Sequence, residues 1–167
     1  MPLSNHFHNT PVLSHFLVNV GLLNLRLFLI GRLSAIAKRR EKTPATVEDL
    51  GVIMGGERQA QLSKEQIDQI NNPNSLVNRT LRIHRNDIEN SLPFVSAAGV
   101  MVLLCLVQDA SDEKTQWIAN SLMYSYSIAR FVYVYAYWNG KQPHRSISWI
   151  LGFLTTAGIL GFSYKLL

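Results

Sequence analysis

The chain gathers its apolar residues into four long blocks, 12–37, 81–107, 117–138 and 147–164, and no other feature limits its possible folds so strongly. A bilayer core requires about 20 mostly apolar residues per helix, so four spans take up about 80 residues. In a chain of 167 residues this leaves too little for a second folded domain. Backbone polar groups in lipid must be satisfied within their own segment, so each block is expected to be a helix. The sequence therefore predicts an all-α fold, a polytopic four-helix membrane bundle forming one membrane domain over residues 1–167. With 47% hydrophobic and 16% charged residues, the chain is not a disordered tail. Its single cysteine, Cys105, lies inside an apolar run and rules out a disulfide scaffold.

The formal charge of +5 invites a nucleic-acid reading, but the cations are in the wrong places for it. Lys38, Arg39, Arg40 and Lys42 directly follow the first block, where cations hold a helix end on the cytoplasmic side. The segment 38–80 carries seven Lys/Arg against six Asp/Glu, whereas 108–116 carries one Lys against three acids. The third loop holds Lys141, with Arg145 just beyond it. Odd-numbered loops are thus the more basic, which places them in the cytoplasm and both termini in the lumen or outside. No Lys or Arg precedes Arg26, and the first block exceeds a signal-peptide core, so it is read as a retained span. Residues 63–70 have the pattern of one short amphipathic helix on the membrane surface.

Ionisable residues inside spans are costly and usually mark a site. In block two, Arg82, Arg85, Asn86 and Glu89 fall within an arc of about 100° on a helix. They form either a set of local pairs, Arg85 with Glu89 and Arg82 with Asn86, or a binding face. In block three, Tyr126, Arg130, Tyr133 and Tyr137 share an arc of about 60°. Arg130 needs a partner, and Glu89 on the neighbouring helix is the natural one, with a purely structural pair to Glu89 or Asp87 as the alternative. Asn19 and Arg26 in block one are two turns apart and are expected to face the bundle interior together as structural groups. Ser146 either caps helix four or, with Arg145, offers a hydroxyl and a cation at the membrane boundary. Several arginines, one glutamate, an asparagine and tyrosines fit a small zwitterionic peptide. No histidine pair has chelating spacing within a span and no Gly-rich phosphate loop occurs, so neither metal nor nucleotide is expected. Glutathione, with two carboxylates, one ammonium and a thiol, matches group for group, although composition alone does not single it out.

The string Arg79-Thr-Leu-Arg82-Ile-His-Arg85-Asn86-Asp87-Ile-Glu89-Asn90-Ser-Leu-Pro93-Phe94 resembles the signature of the MAPEG superfamily, the membrane-associated proteins of eicosanoid and glutathione metabolism. It looks most like the branch of microsomal glutathione transferases and the inducible membrane prostaglandin E synthase. Val47-Glu48-Asp49-Leu50, Arg130 with Tyr137, and Gln142-Pro143-His144-Arg145-Ser146 are similar to further family motifs. The resemblance implies a homotrimer of four-helix bundles in the endoplasmic reticulum, with the mitochondrial outer membrane as a further location. It also implies reduced glutathione bound between subunits near the cytoplasmic side, and a lipophilic substrate drawn from the bilayer. Carried over, Arg82, Arg85, Asn86, Glu89, Tyr137, Arg145 and Ser146 would contact glutathione, Lys38 stands where relatives have arginine, and Arg130 and Tyr133 complete the set. Asp49 stands where the synthase has an aspartate proposed to assist catalysis. Tyr133 replaces a histidine common in the branch, and Trp149 an aromatic that is usually Tyr or Phe.

A glutathione-using enzyme has to favour the thiolate of a thiol whose ordinary pKa is about 8.5. The expected catalytic residues are Arg145 beside the sulfur, Ser146 donating to it, and Asp49. The expected activity is glutathione transferase or peroxidase. The alternatives are isomerisation of prostaglandin endoperoxide H2 to E2 with glutathione as cofactor, and a non-catalytic lipid-binding adaptor of the same superfamily.

Overall fold

A computed structural model describes residues 11–41, 68, 72–110 and 112–167, and there the chain is four helices: α1 (Pro11–Glu41), α2 (Leu76–Val107), α3 (Glu113–Trp138) and α4 (His144–Leu166). The all-α expectation holds, and each helix overruns its apolar block. Three of them, α1, α2 and α4, are long and apolar enough to cross a membrane. Helix α3 departs from the expected four apolar spans because five tyrosines, several serines and Arg130 lower its hydropathy. The other helices cover much of that polarity, since Gln116, Ser127 and Arg130 are all buried.

The ends of the helices are set by local chemistry. Helix α1 opens with Pro11, whose missing N–H costs nothing in a first turn, and closes on Lys38, Arg39 and Arg40, which complement the negative end of its dipole. Ser75 caps α2 by accepting from the Asn78 amide at 3.1 Å. The Glu41 carboxylate, from the end of α1, also receives the Leu76 and Val77 amides at 2.5 and 3.1 Å. One side chain thus ties the end of α1 to the start of α2. Asp112 caps α3 through the Thr115 amide at 2.9 Å, and its hydrogen bonds with Thr115 hold its carboxyl below the ordinary range. Gly140, at φ 68°, turns the chain out of α3 in the left-handed region that favours glycine.

The bundle is up-down-up-down. Helices α2 and α3 pack against each other and each touches both α1 and α4, which stand at opposite corners without extensive contact. Gln116 of α3 accepts from the Val12 amide at 3.1 Å and donates to the Ala110 carbonyl at 2.8 Å, tying the start of α1 to the α2–α3 turn. The apolar core has two parts. A larger cluster toward the termini includes Leu23, Phe94, Met101, Met123, Tyr126 and Ile159. A smaller one toward the other end includes Ile30, Ile83, Tyr133 and Val134. The outer surface is also apolar: Leu17, Phe28, Leu92, Leu103, Ile128 and Phe153 are each more than half exposed, as in a lipid-facing bundle.

Candidate functional site

Between the two apolar clusters lies a layer of buried charge. Arg26 Nε sits 3.0 Å from both carboxylate oxygens of Asp87, and Arg26 Nη2 donates to Ser91 at 2.8 Å. Arg130 Nη2 donates to the same carboxylate at 3.0 Å and to Asn86 Oδ1 at 3.1 Å. The side chains of Arg26, Asp87 and Arg130 are wholly buried. Two guanidiniums therefore share one carboxylate. Arg130 Nε and Nη1 and Arg26 Nη1 find no hydrogen-bond partner, but aromatic faces lie beside them. The Arg130 guanidinium is 4.4 Å from the Tyr133 ring centre and that of Arg26 is 5.9 Å from Phe131.

The expected Arg130–Glu89 pair does not form. Glu89 lies on the outer side of α2 and accepts from Arg85 Nε at 2.8 Å, with both side chains more than half exposed. Asp87, two residues earlier and on the inward face, takes its place. The expected Arg82–Asn86 pair is also replaced: Arg82 donates to the Pro73 carbonyl, while Asn86 turns its amide oxygen to Arg130. Asn19 and Arg26 do face the interior together; Asn19 accepts from the Ser127 hydroxyl at 2.6 Å. Ser146 is not the cap of α4. That position belongs to Pro143, which offers no side-chain bond, and Ser146 is exposed inside the first turn.

From the charged layer outward, aromatic contacts lead to the mouth of the bundle. Tyr133 and Tyr137 meet edge to face at 5.5 Å, and the Arg145 guanidinium lies 4.7 Å from the Tyr137 ring centre. With the Gln142 amide oxygen turned toward it, Arg145 donates from both terminal nitrogens, at 3.3 and 2.5 Å. Two cavities adjoin this point. One, of about 190 Å³, is lined by Arg79, Arg82, Lys141 and Arg145 with Asn74, Tyr137 and Gln142, and among the described residues no carboxylate lines it. The other, of about 440 Å³, is lined by Tyr133, Tyr137, Arg145, Ser146, Trp149 and Ile150. They share Tyr137 and Arg145. One chamber suits anionic groups and the other a largely apolar body, with a cation and a hydroxyl at their junction.

The structure thus brings Arg82, Tyr133, Tyr137, Arg145 and Ser146 together, and ties Asn86 to them through Arg130. It leaves Arg85 and Glu89 on the outer face of α2. Lys38 is partly buried near the end of α1, and Asp49 and the segment 63–70, apart from Asp68, lie outside the described residues. Arg79, Lys141 and Gln142 are cavity residues that the sequence reading did not assign. Arg79 donates to the Trp138 carbonyl at 3.1 Å and thereby joins the start of α2 to the end of α3. A signal for Lys141 and Gln142 existed in the brevity of the third loop, which forces its polar residues against the helix ends it connects.

A search of curated proteins returns no match. The model of the MAPEG family matches residues 16–164, nearly the whole chain, with most of every helix and the lining residues of both cavities. The chain therefore belongs to the MAPEG family.

Proposed function

We propose that this chain is a glutathione-dependent membrane enzyme that activates the glutathione thiolate for attack on lipophilic electrophiles or lipid hydroperoxides. The observation that carries this reading is the pair of adjoining cavities, one cationic and one largely apolar, sharing Arg145 and Tyr137. Arg82 and Arg79 present guanidiniums to the carboxylates of the peptide, which forked donors match well. Arg145 stands at the junction, where its charge favours the thiolate over the thiol, and Ser146 supplies a hydroxyl donor there. Each tenfold gain in thiolate fraction corresponds to about 1.4 kcal/mol of preferential stabilisation. The thiolate displaces a leaving group from an apolar electrophile held against Trp149 and Ile150, forming a thioether. The half-exposed Arg85–Glu89 pair suits a site completed by a neighbouring subunit of a homotrimer, with Glu89 meeting the peptide ammonium.

The orientation proposed here puts the cation-rich end of the bundle in the cytoplasm of an endoplasmic reticulum membrane. Lys38, Arg39, Arg40, Arg79, Arg82, Lys141 and Arg145 gather at that end, whereas Asp109, Asp112 and Glu113 mark the other. The test is product analysis of purified protein with glutathione and, in turn, a chloronitrobenzene, a lipid hydroperoxide and a prostaglandin endoperoxide. A thioether or an alcohol product supports the proposal. Prostaglandin E alone assigns the isomerase activity instead, and no product together with no thiolate absorbance on mixing assigns the adaptor role. Arg145→Ala is expected to raise the pKa of the bound thiol and slow turnover more than it weakens affinity.

A further inference from the structure

Arg130, Tyr133 and Tyr137 occur at i, i+3 and i+7 on α3, so they project from one face and succeed one another along it. The contacts alternate cation, ring, ring, cation: Arg130 over Tyr133 at 4.4 Å, Tyr133 against Tyr137 at 5.5 Å and 63°, and Tyr137 under Arg145 at 4.7 Å. Each spacing is within the range where quadrupole attraction operates. The inner end is fixed by charge, because Asp87 accepts from Arg130 Nη2 at 3.0 Å in a fully buried position. The outer end is Arg145, whose remaining partner is the Gln142 amide in an exposed turn. Among the described residues the two arginines are thus linked through ring faces, and the two orphaned nitrogens of Arg130 belong to the guanidinium that lies over Tyr133.

We infer that Tyr133 is a positioning residue: with Tyr137 it transmits the fixed placement of the Asp87–Arg130 pair to the Arg145 guanidinium through stacked ring faces. Its aromatic face performs this role, and its hydroxyl does not. The consequence for catalysis rests on the glutathione reading above, but the ladder is a property of the chain itself. An unheld Arg145 would sample many rotamers, and a charge that activates sulfur acts only when it is held at a short, constant distance.

The test labels arginines of the full-length chain in lipid nanodiscs with p-hydroxyphenylglyoxal and follows each site by peptide mass spectrometry. The proteins are wild type, Tyr133→Phe, Tyr133→Leu, Tyr137→Phe and Tyr137→Leu. A cation–π contact of the usual strength corresponds to about a 2- to 30-fold change in an equilibrium. Labelling of Arg145 is therefore expected to rise by that factor in both Leu variants and to stay near wild type in both Phe variants. Exposed Arg39 and buried Arg26 are internal standards and should not change. Equal Arg145 labelling in Phe and Leu variants overturns the inference, as does a parallel rise at Arg26, which signals general loosening of the bundle. If Tyr133→Leu does not fold, Tyr137→Leu at its half-buried position decides the matter alone. Glutathione affinity of the same samples is the second readout: both Leu variants should bind more weakly than wild type. A wild-type chain that binds no glutathione rejects the function proposed above and leaves the ladder to be judged by Arg145 labelling.

Discussion

Asp87→Asn removes the single negative charge from a buried layer that holds two guanidiniums. The wild-type carboxylate accepts from Arg26 and Arg130 at 3.0 Å each, with all three side chains out of solvent. An asparagine at this position keeps one acceptor and turns an NH2 donor toward one of the arginines, so at least one strong bond is lost. Two unneutralised cations then face each other in the middle of the bundle. Removing one partner of a buried ion pair costs about 3–5 kcal/mol. For a chain of this size that corresponds to a fall in Tm of about 6–20 °C. The assay is thermal unfolding in detergent micelles followed by circular dichroism, with Glu89→Gln as comparison, because its pair with Arg85 is solvent-exposed and should leave Tm unchanged. Adding Arg26→Met to Asp87→Asn should recover part of the loss, since it removes one of the two stranded cations. A fall below about 2 °C for Asp87→Asn, or an equal fall for Glu89→Gln, would refute the claim that this layer organises the fold.

Three further outcomes are expected. Gln116→Leu leaves both the Val12 amide and the Ala110 carbonyl without their partner and should cost about 1–3 kcal/mol, read as a lower Tm in the same assay. Ser146→Ala should leave Tm unchanged, because Ser146 caps nothing, yet raise the pKa of bound glutathione thiol less than Arg145→Ala does, read by titrating thiolate absorbance. Protease added to sealed microsomes should cut within 38–80 and spare 108–116; the reverse pattern would invert the proposed orientation.

The helices were legible in the sequence because lipid leaves a chain of such apolar blocks few alternatives, and apolar length alone marks where they run. The burial of Arg26, Asn19 and Arg130 was legible for the same reason, since a costly group in a span has to turn inward. The choice between Glu89 and Asp87 as the partner of Arg130 was not. Asp87 and Glu89 both sit near the start of α2 and differ by two residues, which is about 200° of helix rotation, and only the packing of α2 against α1 and α3 decides which one meets Arg130. The same packing places Arg79 beside the turn after α3, across a separation of 59 residues that no local pattern spans. The capping alternative for Ser146 fails although serine is a favoured N-cap and stands at the polar edge of an apolar block, because the helix begins two residues earlier, at His144.

The arrangement of charge also narrows which arginine is available to a bound anion. Arg26 and Arg130 are drawn to Asp87 and sealed inside the bundle. Arg85 is satisfied by Glu89. Arg79, Arg82 and Arg145, by contrast, meet neutral acceptors, the Trp138 carbonyl, the Pro73 carbonyl and the Gln142 amide. A neutral acceptor holds a guanidinium less strongly than a carboxylate does, so an incoming anion can displace it with net gain. All three residues line the cationic cavity, and of the three Arg145 also lines the apolar one. In the function proposed above, Arg130, which shares a helix face with the site tyrosines, is therefore assigned the role of a brace, and Arg145 that of the cation offered to the sulfur.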